Sequence, residues 1–285
     1  MKRFCLLLLL SLGLGLVSVA QQATHTRSHH TKTQPAADTV AHQDFSQSCD
    51  TPSFPSQDPL PVDAGDTACG LEGSGRAETA QNKAKNDFCA SGDPQSTSFD
   101  DLQKMQNQVV NDNSIDWGNK NTATHKKGPT TDRAPLEQIG EGKLVVVNGF
   151  VLIARQEGAE SVNCGANVPN DPLHHDIHIS IVPSADETNE CNGIVAEMSP
   201  HHRPAEWTAA NVNKLGKAHL PVRVTGHLFF DSSHVPCTGG QPVPSNPKRF
   251  SLWEVHPIYK LEVCTGNCDG DGTWVALSDW VQSNQ

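Results

Sequence analysis

Aromatic residues are scarce in this chain of 285 residues: one Tyr, five Trp and nine Phe make up 5% of it. So thin a supply argues against a row of rings on which successive bases of a single strand could stack. Positive charge is short as well. Lys and Arg number 21 against 32 Asp and Glu, a formal net charge of −11 with His neutral. Binding to a phosphate backbone depends on Lys and Arg displacing counterions, so this balance disfavours nucleic acid as a partner. The apolar run from Phe4 to Val17 falls short of the ~20 residues that a spanning helix needs. No Gly-x-Ser-x-Gly elbow is present, and the Gly73-Ser74-Gly75 stretch lacks the strand and Lys of a phosphate loop. Hydrophobic residues reach only 36%, so part of the chain lies outside any packed core.

Residues 1–20 combine Lys2 and Arg3, an apolar stretch, and small residues at Ser18 and Ala20. That is the pattern of a cleaved secretory signal, and it predicts an exported protein, periplasmic or extracellular. Eight cysteines follow it: Cys49, Cys69, Cys89, Cys164, Cys191, Cys237, Cys264 and Cys268. An even number in an exported chain favours disulfides over a thiolate metal site, and oxidised cysteines leave nucleophilic catalysis without support. Cys69–Cys89 is the expected local pair and Cys164–Cys191 the next. Cys264 and Cys268 have no second pair of similar spacing, which argues against a four-cysteine zinc site.

Residues 21–61 are rich in Thr, His, Gln, Ser and Pro and are expected to form a disordered spacer, with His25, His29, His30 and His42 as solvated linker residues. Residues 62–133 form a small polar region with two helical stretches, one over 78–89. The other is announced by Ser98 three residues before Asp101, followed by Leu102, Met105 and Val109 on one face. The packed domain is expected over 134–285, with strands at 144–155, 176–182, 193–198, 221–230 and 252–263. A helix over 204–215 starts at Pro204 and stops before Gly216. Gly149 lets the long first strand bend. The alternative, a tight hairpin at Asn148-Gly149, leaves two ribbons of marginal length. Pro257 predicts a bulge or an edge position.

Three strands, a helix and two strands, in that order, resemble the OB-fold, a five-stranded Greek-key barrel with one helix between its third and fourth strands. The fold class expected is therefore mainly β, a barrel preceded by a disulfide-stapled helical region and a spacer. The strings CNGIVAEMSPHHRPAEW, GHLFFDSSH and SLWEVHPIY also resemble stretches of uncharacterised secreted bacterial proteins, over about 144–264. That resemblance supports the domain boundary and implies no chemistry.

Nine histidines fall between His174 and His256. Side chains two apart on a strand share a face, so alternation turns Asp176 and His178 one way, Asp231 beyond the fourth strand likewise, and Glu254 with His256 away from Trp253 and Val255. His234 follows Asp231 in a turn. We expect Asp176, His178, Asp231, His234, Glu254 and His256 to gather on the polar side of the barrel, with His174, Glu197 and His227 as secondary members. Imidazoles and carboxylates together suit Zn or Mn. The competing reading is a solvated sheet face with ordinary Asp–His and Glu–His hydrogen bonds. Two further features are weaker. Glu206 and Trp207 in the first turn of the 204–215 helix, after His201 and His202, read as a polar loop with Trp207 as an anchor. Asn267, Asp269, Asp271 and Gly272 resemble the start of a calcium loop, but Ser278 stands at the twelfth position, so a hairpin turn is preferred.

Two functions follow as expectations. One is an OB-like binding module for a saccharide, peptide or envelope protein, since such barrels bind ligands on the face of strands two and three. Residues 134–285 carry nine Lys and Arg against seventeen Asp and Glu, which again disfavours nucleic acid. The other is a metal-dependent hydrolase, phosphodiesterase-like, using the Asp/His/Glu cluster.

Overall fold

The computed structural model of the chain describes residues 72–73, 78–90, 92–118, 131–163, 175–200, 203–240, 243, 246–268 and 272–285. The expected signal and spacer, Cys49, Cys69, Cys164, His174, His201, His202, Asp269 and Asp271 lie outside them, and with them the Cys69–Cys89 pair.

Five strands close a barrel: β2 (Leu144–Gln156), β3 (Ile177–Val182), β4 (Ile194–Met198), β5 (Pro221–Phe230) and β6 (Trp253–Cys264). Around it the order is β2, β3, β4, β6, β5 and back to β2. All neighbours are antiparallel except β4 and β6, which meet in parallel at Ala196 and Val255. This is the OB-like Greek-key barrel. β2 can pair with both β3 and β5 because it is long and bends. Its first half, Leu144–Phe150, runs against β5, and its second half, Phe150–Gln156, against β3. Gly149 sits at the bend, where a Cβ would lie 2.7 Å from Ile181 Cγ2 and 2.8 Å from the Val182 carbonyl oxygen. Asn148-Gly149 is therefore continuous strand and not a hairpin.

Alternation decides what faces inward. Ile177, Ile179 and Ile181 of β3, Val222, Val224, Leu228 and Phe230 of β5, and Trp253 and Val255 of β6 enter one core. The β5–β6 register slips on both sides of Gly226, which pairs with Ile258, next to Pro257. The proline cannot donate to the ladder, and the strand accommodates it with the expected bulge.

The helix between β4 and β5 is α4, but its bounds differ from expectation. It runs Ala209–Lys217, and Thr208 caps it by accepting a hydrogen bond from the Asn211 amide. Pro204 instead opens a turn closed by the Trp207 amide on its carbonyl. A threonine hydroxyl supplies the acceptor that the first turn needs, which Pro204 cannot. Gly216 lies inside α4 rather than beyond it. A Cβ there would stand 2.7 Å from the Val151 carbonyl oxygen, so its role is close approach to β2. Trp207 packs into the core, as the anchor reading expects.

The segment before the barrel shares its core. α2 (Phe99–Asn111) has the Ser98–Asp101 capping box and buries Phe99, Leu102 and Val109. They join the same cluster as Val147 and Trp253. β1 (Gln95–Ser96) adds in parallel to β2, α3 (Ala134–Ile139) precedes β2, and α1 (Thr79–Lys85) lies on the outside of the barrel. After β6, β7 (Trp274–Ala276) pairs back on it antiparallel, and α5 (Leu277–Ser283) follows. β6 and β7 are thus antiparallel neighbours, while 269–271 of their connection lie outside the described residues.

Cys191 bonds Cys237, with Cα atoms 5.6 Å apart, and Cys264 bonds Cys268. The expected Cys164–Cys191 pair is corrected. The β5–β6 connection passes over the turn before β4, where the Phe250 amide donates to the Gly193 carbonyl. That brings Cys237 to Cys191 from 46 residues away. No helix among the described residues is long and apolar enough to cross a membrane.

Candidate metal centre

The outer face of β3, β4 and β6 carries the polar residues that alternation leaves behind: His178, Glu197, Glu254 and His256, with Asp176 one residue before β3. They are not solvated. Asp176 and Glu254 have no exposed surface, Glu197 and His256 keep 1%, and His178 keeps 5%. Residues 78–90 and 157–163 cover them. Gln81 of α1 accepts hydrogen bonds from the Ser232 amide and hydroxyl, Asn86 donates to the Val162 carbonyl, and Tyr259 donates to the Asp87 carbonyl. Lys85 of the first segment reaches Glu197 on β4 and Glu160 of the second reaches His178 on β3, so the two segments lie over strands two and three of the barrel.

Glu197 is the hub. Its Oε1 lies 3.2 Å from His178 Nε2, and its Oε2 lies 2.6 Å from His256 Nδ1. Glu160, from the covering loop, stands 3.4 Å from His178 Nε2. Asp176 lies 4.0 Å from His256 Nε2, and Glu254 the same distance from His256 Nδ1. Lys85 of α1 reaches Glu160 at 3.4 Å and Glu197 at 3.8 Å. Candidate ligand atoms of Glu160, Asp176, His178 and Glu197 all lie within 4.8 Å of one another, and so do those of Glu197, Glu254 and His256.

Despite this crowding, hydrogen bonds are missing. Neither oxygen of Asp176 and neither nitrogen of His178 has a hydrogen-bond partner among the described residues, nor do Glu197 Oε2, both Glu254 oxygens or His256 Nδ1. Buried polar atoms are normally satisfied, so these groups face one another without the alignment that a proton between them would require. They meet instead as close charge contacts, and the same donor atoms are spaced closely enough that they could hold a cation. Four carboxylates and two imidazoles offer the hard and borderline donors that suit Mn or Zn.

The field across the cluster is strong. Burial opposes the charge on His178, but Glu197 and Glu160 outweigh it and push its pKa up to about 10. Burial likewise opposes the Lys85 charge, and the same carboxylates raise its pKa nonetheless. Burial resists ionisation of Glu197, yet His178, Lys85 and His256 hold it well below the usual carboxylate range. Asp176 behaves differently: burial, then Glu160 and Glu197, raise its pKa to about 6 against the pull of His256. Asp176 is the carboxylate with least support, and an added cation would ionise it and displace the His178 proton.

The other expected members stand apart. Asp231 accepts from the Ser233 amide, contacts the His234 ring, and lies 3.2 Å from Arg249, which in turn contacts Glu254. Burial opposes its charge, but His234 and Arg249 depress its pKa far below the usual range. Asp231 is thus linked to the cluster through Arg249 and through the field of Lys85. His227 points elsewhere, its Nδ1 on the His256 carbonyl and its Nε2 3.4 Å from Asp87. Lys85, Glu160 and Arg249 were not anticipated. They come from a helix and loops, where period-two alternation carries no signal.

No protein-family model, curated protein or solved structure matches the chain.

Proposed function

We propose that this chain is an exported OB-type binding module built around a divalent-cation centre in the cluster of Asp176, His178, Glu197, Glu254, His256 and Glu160. The observation that carries the reading is Asp176, a fully buried carboxylate neither of whose oxygens accepts a hydrogen bond. Export is supported by the signal-like first twenty residues and by two disulfides, which persist in oxidising compartments. The acidic barrel half favours a saccharide, peptide or protein partner over nucleic acid. With the usual ligand face covered, a groove of about 430 Å³ lined by Leu220, Thr265, Val275, Asp279, Trp280 and Asn284 is open to such a ligand. Its indole beside a carboxylate and an amide suits a saccharide. A metal-dependent hydrolase needs a coordination position open to substrate, whereas four of the six ligands are at most 1% exposed. Their burial favours holding a cation over turning over a substrate.

The test is the metal content of protein purified without a histidine tag, together with its melting temperature in chelator and in added Mn or Zn. Bound metal, and a rise in melting temperature that Asp176→Asn abolishes, are expected. Metal-free protein whose melting temperature ignores both cations would refute the reading.

A further inference from the structure

Resting on the divalent-cation reading above, we infer that the centre holds two divalent cations bridged by the Glu197 carboxylate. The two candidate ligand sets share only this residue, and its two oxygens face opposite ways. Oε1 is turned to His178, in the set with Glu160 and Asp176, and Oε2 to His256, in the set with Glu254. A carboxylate offering one oxygen to each of two sites is the geometry that spans a pair of ions about 3.5–4 Å apart.

Each set has its own buried atoms without a hydrogen bond: both oxygens of Asp176 and both nitrogens of His178 in the first, both oxygens of Glu254 and Nδ1 of His256 in the second. A single ion in the first set would leave the second with the same deficit. Arg249 does not remove it. Arg249 contacts Oε1 of Glu254, while Oε2 is the oxygen that faces His256. Charge points the same way. With histidines neutral, the carboxylates of Glu157, Glu160, Asp176, Glu197, Glu254 and Asp231 exceed Lys85 and Arg249 by four negative charges, of which one divalent ion covers two and a second the remainder.

The experiment is Mn(II) titration of the chelator-stripped full chain, read by bound equivalents and by electron paramagnetic resonance. Two equivalents per chain and an exchange-broadened spectrum are expected. Glu254→Gln should reduce binding to one equivalent and restore the six-line signal of an isolated Mn. Since Glu254→Gln deprives Arg249 of a partner, His256→Gln serves as a second variant with the same expected outcome. One equivalent in the unaltered chain, indifferent to both variants, overturns the bridged pair and leaves the single-cation reading standing. No bound Mn overturns both.

Discussion

Replacing Lys85 by Met tests whether the cluster is organised around cations. The ammonium is 9% exposed and reaches Glu160 at 3.4 Å and Glu197 at 3.8 Å. Met keeps most of the stem and removes the charge, leaving both carboxylates with His178 but without the ammonium between them. Breaking a buried ion pair from one side costs ~3–5 kcal/mol, and because Glu160 is 26% exposed the lower end applies. At ~2–4 °C per kcal/mol for a domain of roughly 150–250 residues, the melting temperature in chelator should fall by about 6–12 °C. Excess Mn should reverse the order of response. A bound ion at 100 times its dissociation constant adds about 2.7 kcal/mol to the folded state. Lys85 repels that ion, so its removal should tighten binding at least tenfold, or about 1.4 kcal/mol more at the same concentration. The Mn-dependent gain must then be larger in the variant than in the unaltered chain. Scanning calorimetry with and without Mn measures both arms. A loss below about 1 kcal/mol in chelator, or an equal Mn gain in the two proteins, would refute the argument.

Leu102→Ala empties a fully buried position in the core that α2 shares with the barrel, at a cost of ~2–5 kcal/mol. Tryptophan fluorescence should show one cooperative transition shifted to lower temperature, and an unshifted barrel transition would mean that α2 is a separate unit. Gly226→Ala places a Cβ 2.3 Å from the Pro257 carbonyl oxygen, so urea unfolding should show a loss of ~1–3 kcal/mol; an unchanged midpoint would contradict the close approach. Glu262 is opposed by burial, but hydrogen bonds from Arg223 and Lys260 outweigh it and lower its pKa. A depressed carboxylate stabilises the fold above its unfolded pKa of about 4.3 and loses that contribution as pH falls through the lower folded value. The stability advantage over Glu262→Gln should therefore be full at pH 6 and shrink in acid below about pH 4, and a pH-independent difference would count against it.

The barrel was legible from strands such as 176–182 and 221–230, whose apolar residues alternate, and from 144–155, a long run apolar on both faces. Strands 144–155 and 221–230 were bounded to within a residue, since Val222, Val224, Leu228 and Phe230 can be buried together only on one face of a strand. What was misread depends on contacts from far along the chain. Pro204 and Gly216 look like helix boundaries by their own propensities. The true start is set by the Thr208 hydroxyl, and Gly216 is required by the backbone of β2, some sixty residues earlier. Cys191 found Cys237 rather than Cys164 because the β5–β6 connection folds back over the turn before β4, which cysteine spacing does not encode.

The site divides along the same physical line. Asp176, His178, Glu254 and His256 come together because alternation on β3 and β6, with Glu197 on β4 between them, fixes their face and the closed barrel fixes their distance. Alternation says only that such a face is not core, and a bare sheet face would be wet. What makes it dry is the cover of residues 78–90 and 157–163, anchored by uncharged hydrogen bonds, Ser232 donating to Gln81, Asn86 to Val162 and Tyr259 to Asp87. That cover brings Lys85 and Glu160 to the cluster and turns ordinary surface carboxylates into groups that must find a cation. A polar strand face becomes a buried cluster of carboxylates and imidazoles here through burial supplied from elsewhere in the chain. The covering helix α1 is therefore as much part of the site as the strands that carry its ligands.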